Sequence, residues 1–186
     1  MVKGHDVIGK SVIAYDSGTI LTKVKDILFN AQENIILGFQ VSNGSPFSEA
    51  KAIPFRYIKA IGPNAITVES DSVIVPSSED RQIKESLENN SVKGKKVMTE
   101  DGKDLGVIAD IYFREDTGTI EGYEVSGGIF SDADTGISFL PAPAEFSIGE
   151  DVAFVPSAMV EIMRNPVHQG EQTNVPQMSN NTFLQH

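Results

Sequence analysis

Two aspartates stand at corresponding places in two similar stretches, Lys25-Asp26-Ile27 and Ala109-Asp110-Ile111. Paired carboxylates of this kind could hold a cation or work as acid and base in a hydrolysis. The competing reading is structural: each aspartate accepts backbone N–H groups from a neighbouring turn and so fixes strand register. Recurrence favours structure, because an active site rarely needs duplicating. The acidic loop 131–136, with Asp132 and Asp134, also offers oxygen ligands. It lacks the twelve-residue calcium-loop pattern and its bidentate Glu, so it reads as a solvated hairpin tip. His5, His168 and His186 lie near the ends of the chain and show no metal-ligand spacing, and none sits beside a plausible nucleophile turn. Cysteine is absent, which excludes disulfides, zinc–thiolate sites and a thiol nucleophile. The stretch 122–128 lacks both the spacing and the strand-to-helix setting of a phosphate loop. No catalytic residue, cofactor site or metal site is expected.

The flanks of the acidic loop suggest a different role. Phe130 and Phe139 bracket its tip, and Phe47 follows Gly44-Ser45-Pro46 at the comparable place earlier in the chain. Aromatic side chains beside adaptable Gly and Ser commonly anchor a protein partner, so Phe47, Phe130 and Phe139 are candidate partner-binding residues. The alternative is that Phe130 and Phe139 pair across their hairpin and fill the core.

The elements that must position these residues come in duplicate. Sliding the stretch 18–29 by 84 positions lays it on 102–113, with Gly18/Gly102, Leu21/Leu105, Asp26/Asp110, Ile27/Ile111 and Phe29/Phe113 identical. At the same offset Gly38 meets Gly122 within matching apolar runs. The offset becomes 85 upstream and 87 downstream, and every change falls in a turn, where insertions are tolerated. Gly18, Asp26, Gly38, Gly102, Asp110 and Gly122 are therefore structural repeat positions. Each copy reads as five or six short strands: Val/Ile/Leu-rich runs broken by Asp16-Ser17-Gly18 or Asp101-Gly102, then strands over 35–42 or 119–126, 50–54 or 137–141, and 65–70 or 152–155. Val24 and Leu28, and Val107, Ile111 and Phe113, approximate strand alternation, and neighbouring Ile27 and Ile108 imply strands buried on both sides. A helix is expected over 77–90, with Ser77 and Ser78 as capping hydroxyls and Ile83 and Leu87 as an i,i+4 apolar pair. Met159, Val160 and Met163 mark a second short helix.

The resulting organisation is mainly β: a first barrel over 1–75, a linker helix over 76–91, a second barrel over 92–156, a short helix over 157–164 and a flexible tail over 165–186. Net charge is −11, carried wholly by the second half: 85–186 hold six Lys/Arg against seventeen Asp/Glu, while 1–84 hold nine of each. Such a half repels phosphate backbones, so no direct nucleic-acid partner is expected. No run of eighteen apolar residues exists and no secretory signal is expected at the N-terminus.

Each copy resembles the PRC-barrel domain, found in the cytoplasmic part of the photosynthetic reaction centre H subunit and in the C-terminal half of the ribosome maturation factor RimM. The resemblance lies in 8–12, the turn at Asp16-Ser17-Gly18, 24–29 and 36–41, and in 92–97, 101–111 and 120–125. It implies two small PRC-type barrels in tandem and a non-enzymatic protein-binding or assembly module without cofactors. It further implies a cytoplasmic protein peripheral to the photosynthetic apparatus, reaching a membrane through a partner. The alternative is a RimM-like ribosome maturation role, although RimM joins its PRC domain to a different N-terminal barrel. A hydrolase built on Asp26 and Asp110 comes third.

Overall fold

The computed structural model describes residues 1–42, 49–89 and 92–164. Phe47 and the tail 165–186, with His168 and His186, lie outside the described residues. In chain order the elements are β1 (Val2–Lys3), the helical turn α1 (Gly4–Val7), β2 (Ser11–Ala14), β3 (Ile20–Asn30), β4 (Ile35–Val41), β5 (Lys51–Pro54), β6 (Ile58–Ile61), β7 (Ala65–Val68), β8 (Val75–Pro76) and α2 (Arg81–Asn89). The second half continues with β9 (Lys96–Thr99), β10 (Asp104–Phe113), β11 (Ile120–Ser126), β12 (Ile137–Pro141), β13 (Ser147–Ile148), β14 (Val152–Val155) and α3 (Met159–Arg164). The fold is mainly β, as the repeated turns and strand-like runs require.

The duplication is visible in the topology. One sheet runs β6-β7-β2-β3-β4-β5-β8 and the other β13-β14-β9-β10-β11-β12 with β1 added on β10; apart from β8 and β1, each strand is replaced by its repeat equivalent in the same order. Register repeats as well. Ile27 lies opposite Phe39 and Leu28 opposite Gly38, just as Ile111 lies opposite Tyr123 and Tyr112 opposite Gly122. Both long strands shift register between Val24 and Asp26 or between Ile108 and Asp110, so each repeated aspartate follows a one-residue bulge. The first and last main strands of each copy close the arrangement by parallel pairing, Val12 opposite Ile66 and Val97 opposite Ala153. Even a side-chain tie recurs: Lys10 Nζ donates to the Gly62 carbonyl at 2.6 Å and Lys95 Nζ to the Gly149 carbonyl at 2.9 Å.

The glycines explain part of this identity. Gly18 and Gly102 take φ of 66° and 83°, the left-handed conformation their hairpin turns need. Gly38 serves another purpose: a Cβ there would stand 2.3 Å from the Ile53 carbonyl oxygen, so β4 and β5 can approach only over a bare Cα.

The two copies share one core. Val12, Phe39 and Ile66 belong to the same buried cluster as Val97, Phe113 and Tyr123, and the Phe39 and Phe113 rings meet at 6.5 Å. Across this junction Ile36 N–H donates to the Gly118 carbonyl and Ile120 N–H to the Asn34 carbonyl, each at 2.8 Å. These bonds are reciprocal under the 84-residue offset, so the copies face one another about a local two-fold. The N-terminal segment then crosses over: β1 pairs with β10, Val2 opposite Phe113 and Lys3 opposite Tyr112.

Two sequence expectations need adjustment. The linker helix starts at Arg81, after a 3₁₀ turn over Ser77–Glu79. Its cap is the Asp80 carboxylate, which accepts Gln82 N–H at 3.1 Å and Ile83 N–H at 3.3 Å; the Ser77 hydroxyl is buried instead. Val107 does not share a face with the inward Ile111 and Phe113, because the bulge before Asp110 resets the alternation and leaves Val107 exposed.

Candidate partner-binding surface

The repeated aspartates line one cleft of about 680 Å³ between the copies, with Gly4, Gln40, Lys95 and Ile108 among the residues on its walls. Their environments differ. Asp110 is buried, and its carboxylate accepts Ile111 N–H at 2.9 Å and His5 N–H at 3.0 Å. Asp26 is exposed and accepts Ile27 N–H at 2.8 Å. In both copies the carboxylate serves the backbone next to a bulge, where the ladder leaves a donor without its ordinary acceptor. Among the described residues no three His, Asp or Glu side chains gather to hold a metal ion.

The acidic loop also spends its carboxylate on its own backbone. Asp132 accepts the N–H groups of Asp134 and Thr135, both at 2.9 Å. These bonds stabilise the charged form and hold Asp132 below the ordinary carboxylate range. Gly127 and Gly128, both at positive φ, carry the chain over the backbone of Leu105. That path turns Phe130 toward the main core, where it packs half-buried, and leaves Ile129 exposed.

Phe139 goes the other way. On β12, Leu140 faces the core while Ile137 and Phe139 face outward, 38% and 43% exposed. Phe139 does not pair with Phe130. Its ring meets Tyr112 edge-on at 5.7 Å and lies over Gly122, where a Cβ would come within 2.4 Å of it. Glu124, opposite Phe139 in the ladder, is nearly buried on this side. It accepts Lys3 Nζ at 2.7 Å and the Tyr112 hydroxyl at 2.8 Å. The hydrogen bond from Lys3 is the main reason its carboxyl is held below the usual range, and Lys3 and Tyr112 are both pushed up. The lysine ammonium lies 5.8 Å from the Tyr112 ring centre.

The equivalent face of the first copy is covered by a helix at Leu28 and Ala52, while its Asp26 and Gln40 side opens on the cleft. There Leu28 takes the place of Tyr112, Leu37 of Glu121, Gln40 of Glu124 and Ala52 of Phe139. Helix α2 lies across it, with Ile83 buried against Leu28 and Ala52, and Leu37 and Leu87 at the edge. Ser86 anchors the helix by exchanging hydrogen bonds of 3.2 Å with the N–H and carbonyl of Phe29. Sequence reasoning found Phe139 through its loop but missed Lys3, Tyr112 and Glu124. The signal that could have found two of them lies in the differences between the aligned copies: Tyr for Leu28 and Glu for Gln40, on a face where the repeat otherwise keeps its glycine.

No helix among the described residues is long and apolar enough to cross a membrane. A search among curated proteins finds no match to the chain. The family model for the PRC-barrel domain matches residues 1–82 and again 84–158, one match for each copy of the repeated sheet. A chain built twice on this strand order and matched twice by this model belongs to the PRC-barrel domain family.

Proposed function

We propose that this tandem PRC-barrel chain is a non-enzymatic protein-binding or assembly module, and that it meets its partner through the outer face of the second copy, around Phe139. The supporting observation is the contrast between the copies: α2 buries Ile83 on the first face, while Phe139 on the second stays 43% exposed. Exposed aromatic and branched aliphatic side chains over a rigid sheet are the usual anchors of a protein interface. The non-enzymatic reading is supported by the aspartates, whose carboxylates are engaged by backbone N–H groups beside the bulges.

Analogy with the reaction-centre member of the family makes a soluble or peripheral factor linked to the photosynthetic apparatus the first partner context to test. The RimM-like alternative is disfavoured by the acidic second half, which repels RNA. Affinity capture from native cells, with the whole chain and its Phe139→Asp variant side by side, tests the reading. The expected result is a set of proteins recovered by the parent and lost with the variant, photosystem subunits among them and ribosomal proteins absent. Identical recoveries would remove the second face from the proposal. RNA binding that weakens with salt would restore the ribosomal alternative.

A further inference from the structure

Resting on that reading of the second face, we infer that its occupant is a basic amphipathic helix of a partner protein, seated as the Ile83 turn of α2 is seated on the first copy. The chain supplies its own comparison. Over their common strands the two sheets share order and register and so present outer faces of the same backbone shape, and the first shows what such a face accepts: a helix with an Ile–Leu pair at i,i+4, Ile83 and Leu87, laid over β3, β4 and β5. On the second sheet the matching strands are β10, β11 and β12, and the matching apolar contacts are Tyr112, Phe139 and, toward the loop, Ile137. The position of the helix's far end is filled by β1 along β10. At the place that Ile83 fills on the first copy Phe139 stays exposed, although α1 packs on β10 beside Asp110 and α3 on β12. The Phe139 ring, edge-on to Tyr112, covers the bare backbone at Gly122 without closing the face, as the exposure of Phe139 and Ile137 records.

Charge selects the kind of helix. Residues 120–141, which build β11, the loop and β12, contain Glu121, Glu124, Asp132 and Asp134 and no Lys or Arg. Glu124 is neutralised by Lys3. Glu121 stands at the bulge position that Leu37 holds in the first copy, and it makes no ion pair among the described residues. Nearby Arg114 is committed to Asp116 at 2.8 Å. A helix placed here meets a carboxylate where α2 meets a leucine, so its flank toward β11 must carry Lys or Arg. An acidic or neutral helix would leave Glu121 and the loop carboxylates facing like charge or an apolar surface.

The test uses the whole chain, ¹⁵N-labelled, and two synthetic helical peptides of about eighteen residues, long enough to hold helical structure. Both peptides share an Ile/Leu stripe at i, i+3, i+4 and i+7. One carries Lys on its flanks and the other Glu. The Lys peptide should shift the amides of Tyr112, Glu121, Gly122 and Phe139, and its affinity should fall as salt rises. Phe139→Ala should weaken it on the order of tenfold, as loss of an interface anchor does. Glu121→Gln should weaken it less and flatten its salt dependence, with the parent spectrum retained elsewhere in both variants.

Equal affinity for the two peptides, binding unaffected by Phe139→Ala, or shifts confined to the first copy would each overturn the inference. So would shifts of the same amides on raising protein concentration without peptide, which would make the occupant a second copy. Changes there on deleting residues 165–186 would make it this chain's own tail. If Phe139→Asp abolishes capture from cells while neither peptide binds, the partner-binding face stands and only the basic helix is lost. If capture is unaffected by Phe139→Asp, the face itself is wrong.

Discussion

The carboxylate of Asp110 accepts the backbone N–H of His5 at 3.0 Å, tying together residues 105 positions apart. The bond fastens the N-terminal crossover to the second copy, beside the pairing of Lys3 with Tyr112. Asp110→Ala leaves two N–H groups without this acceptor, that of Ile111 buried and that of His5 part-buried, and should cost about 2 kcal/mol. Asp26→Ala, at the exposed equivalent, should cost less than half as much. Urea unfolding midpoints of the two variants decide it; equal losses would show that the crossover bond adds nothing.

The second copy should not release the first intact. A fragment 1–91 loses the Phe113 ring against Phe39 and the Gly118 carbonyl that accepts Ile36 N–H. It also exposes the inner ends of β3 and β4 to water, and a unit of this size is marginal even when its core is complete. The expected result is a broad or absent thermal transition by circular dichroism where the whole chain melts sharply. A sharp transition at the parent temperature would mean that each copy folds by itself.

Lys3, Glu124 and Tyr112 give the protein an acid-side sensitivity. Because the Glu124 pKa is lowered in the folded state, the unfolded chain binds the proton more readily. The contribution of this carboxylate is therefore complete above its unfolded pKa, about 4.3, and is lost as pH falls through its folded value. Lys3→Gln should remove about 1 kcal/mol at neutral pH and flatten the stability profile below pH 5. Chemical denaturation of parent and variant from pH 3 to 7 measures both effects. Parallel profiles would dissociate Lys3 from the titration.

The Tyr123 hydroxyl is buried and makes no hydrogen bond among the described residues, and its ring packs against Phe146 at 5.3 Å. Loss of solvation pushes its pKa up, and the orphaned hydroxyl costs stability while the ring contributes to the core. Tyr123→Phe keeps the ring and removes the orphan, so it should stabilise the fold by up to about 1 kcal/mol. Tyr123→Ala should cost at least 3 kcal/mol. A Phe variant less stable than the parent would mean that the hydroxyl has a partner in solution.

Most of the fold is legible in the sequence, and for a local reason. Gly18 and Gly102 mark turns because only glycine takes their conformation freely, and Ile83 with Leu87 mark a helix face because four residues make about one turn. The bulges were not legible: one extra residue leaves no mark in composition, yet it turned Val107 outward and placed Asp110 beside a free N–H. Of the candidate surface, the sequence singled out Phe130 and Phe139 together but could not part them. Gly127 and Gly128 direct one into the core, while the strand pleat points the other to water.

Sequence by itself determined that the chain repeats, where each copy turns and which side chains build its strands, because dihedral preference and alternation are properties of neighbours. Tertiary structure decided which copy each segment joins: Val2 and Lys3 run along β10 of the far copy, and α2 covers the near one. It also decided that Ala52 is covered while its counterpart Phe139 is exposed. Those choices depend on what the whole assembly leaves open. Two stretches with the same local code therefore end with different surroundings, one closed by its own helix and one facing outward.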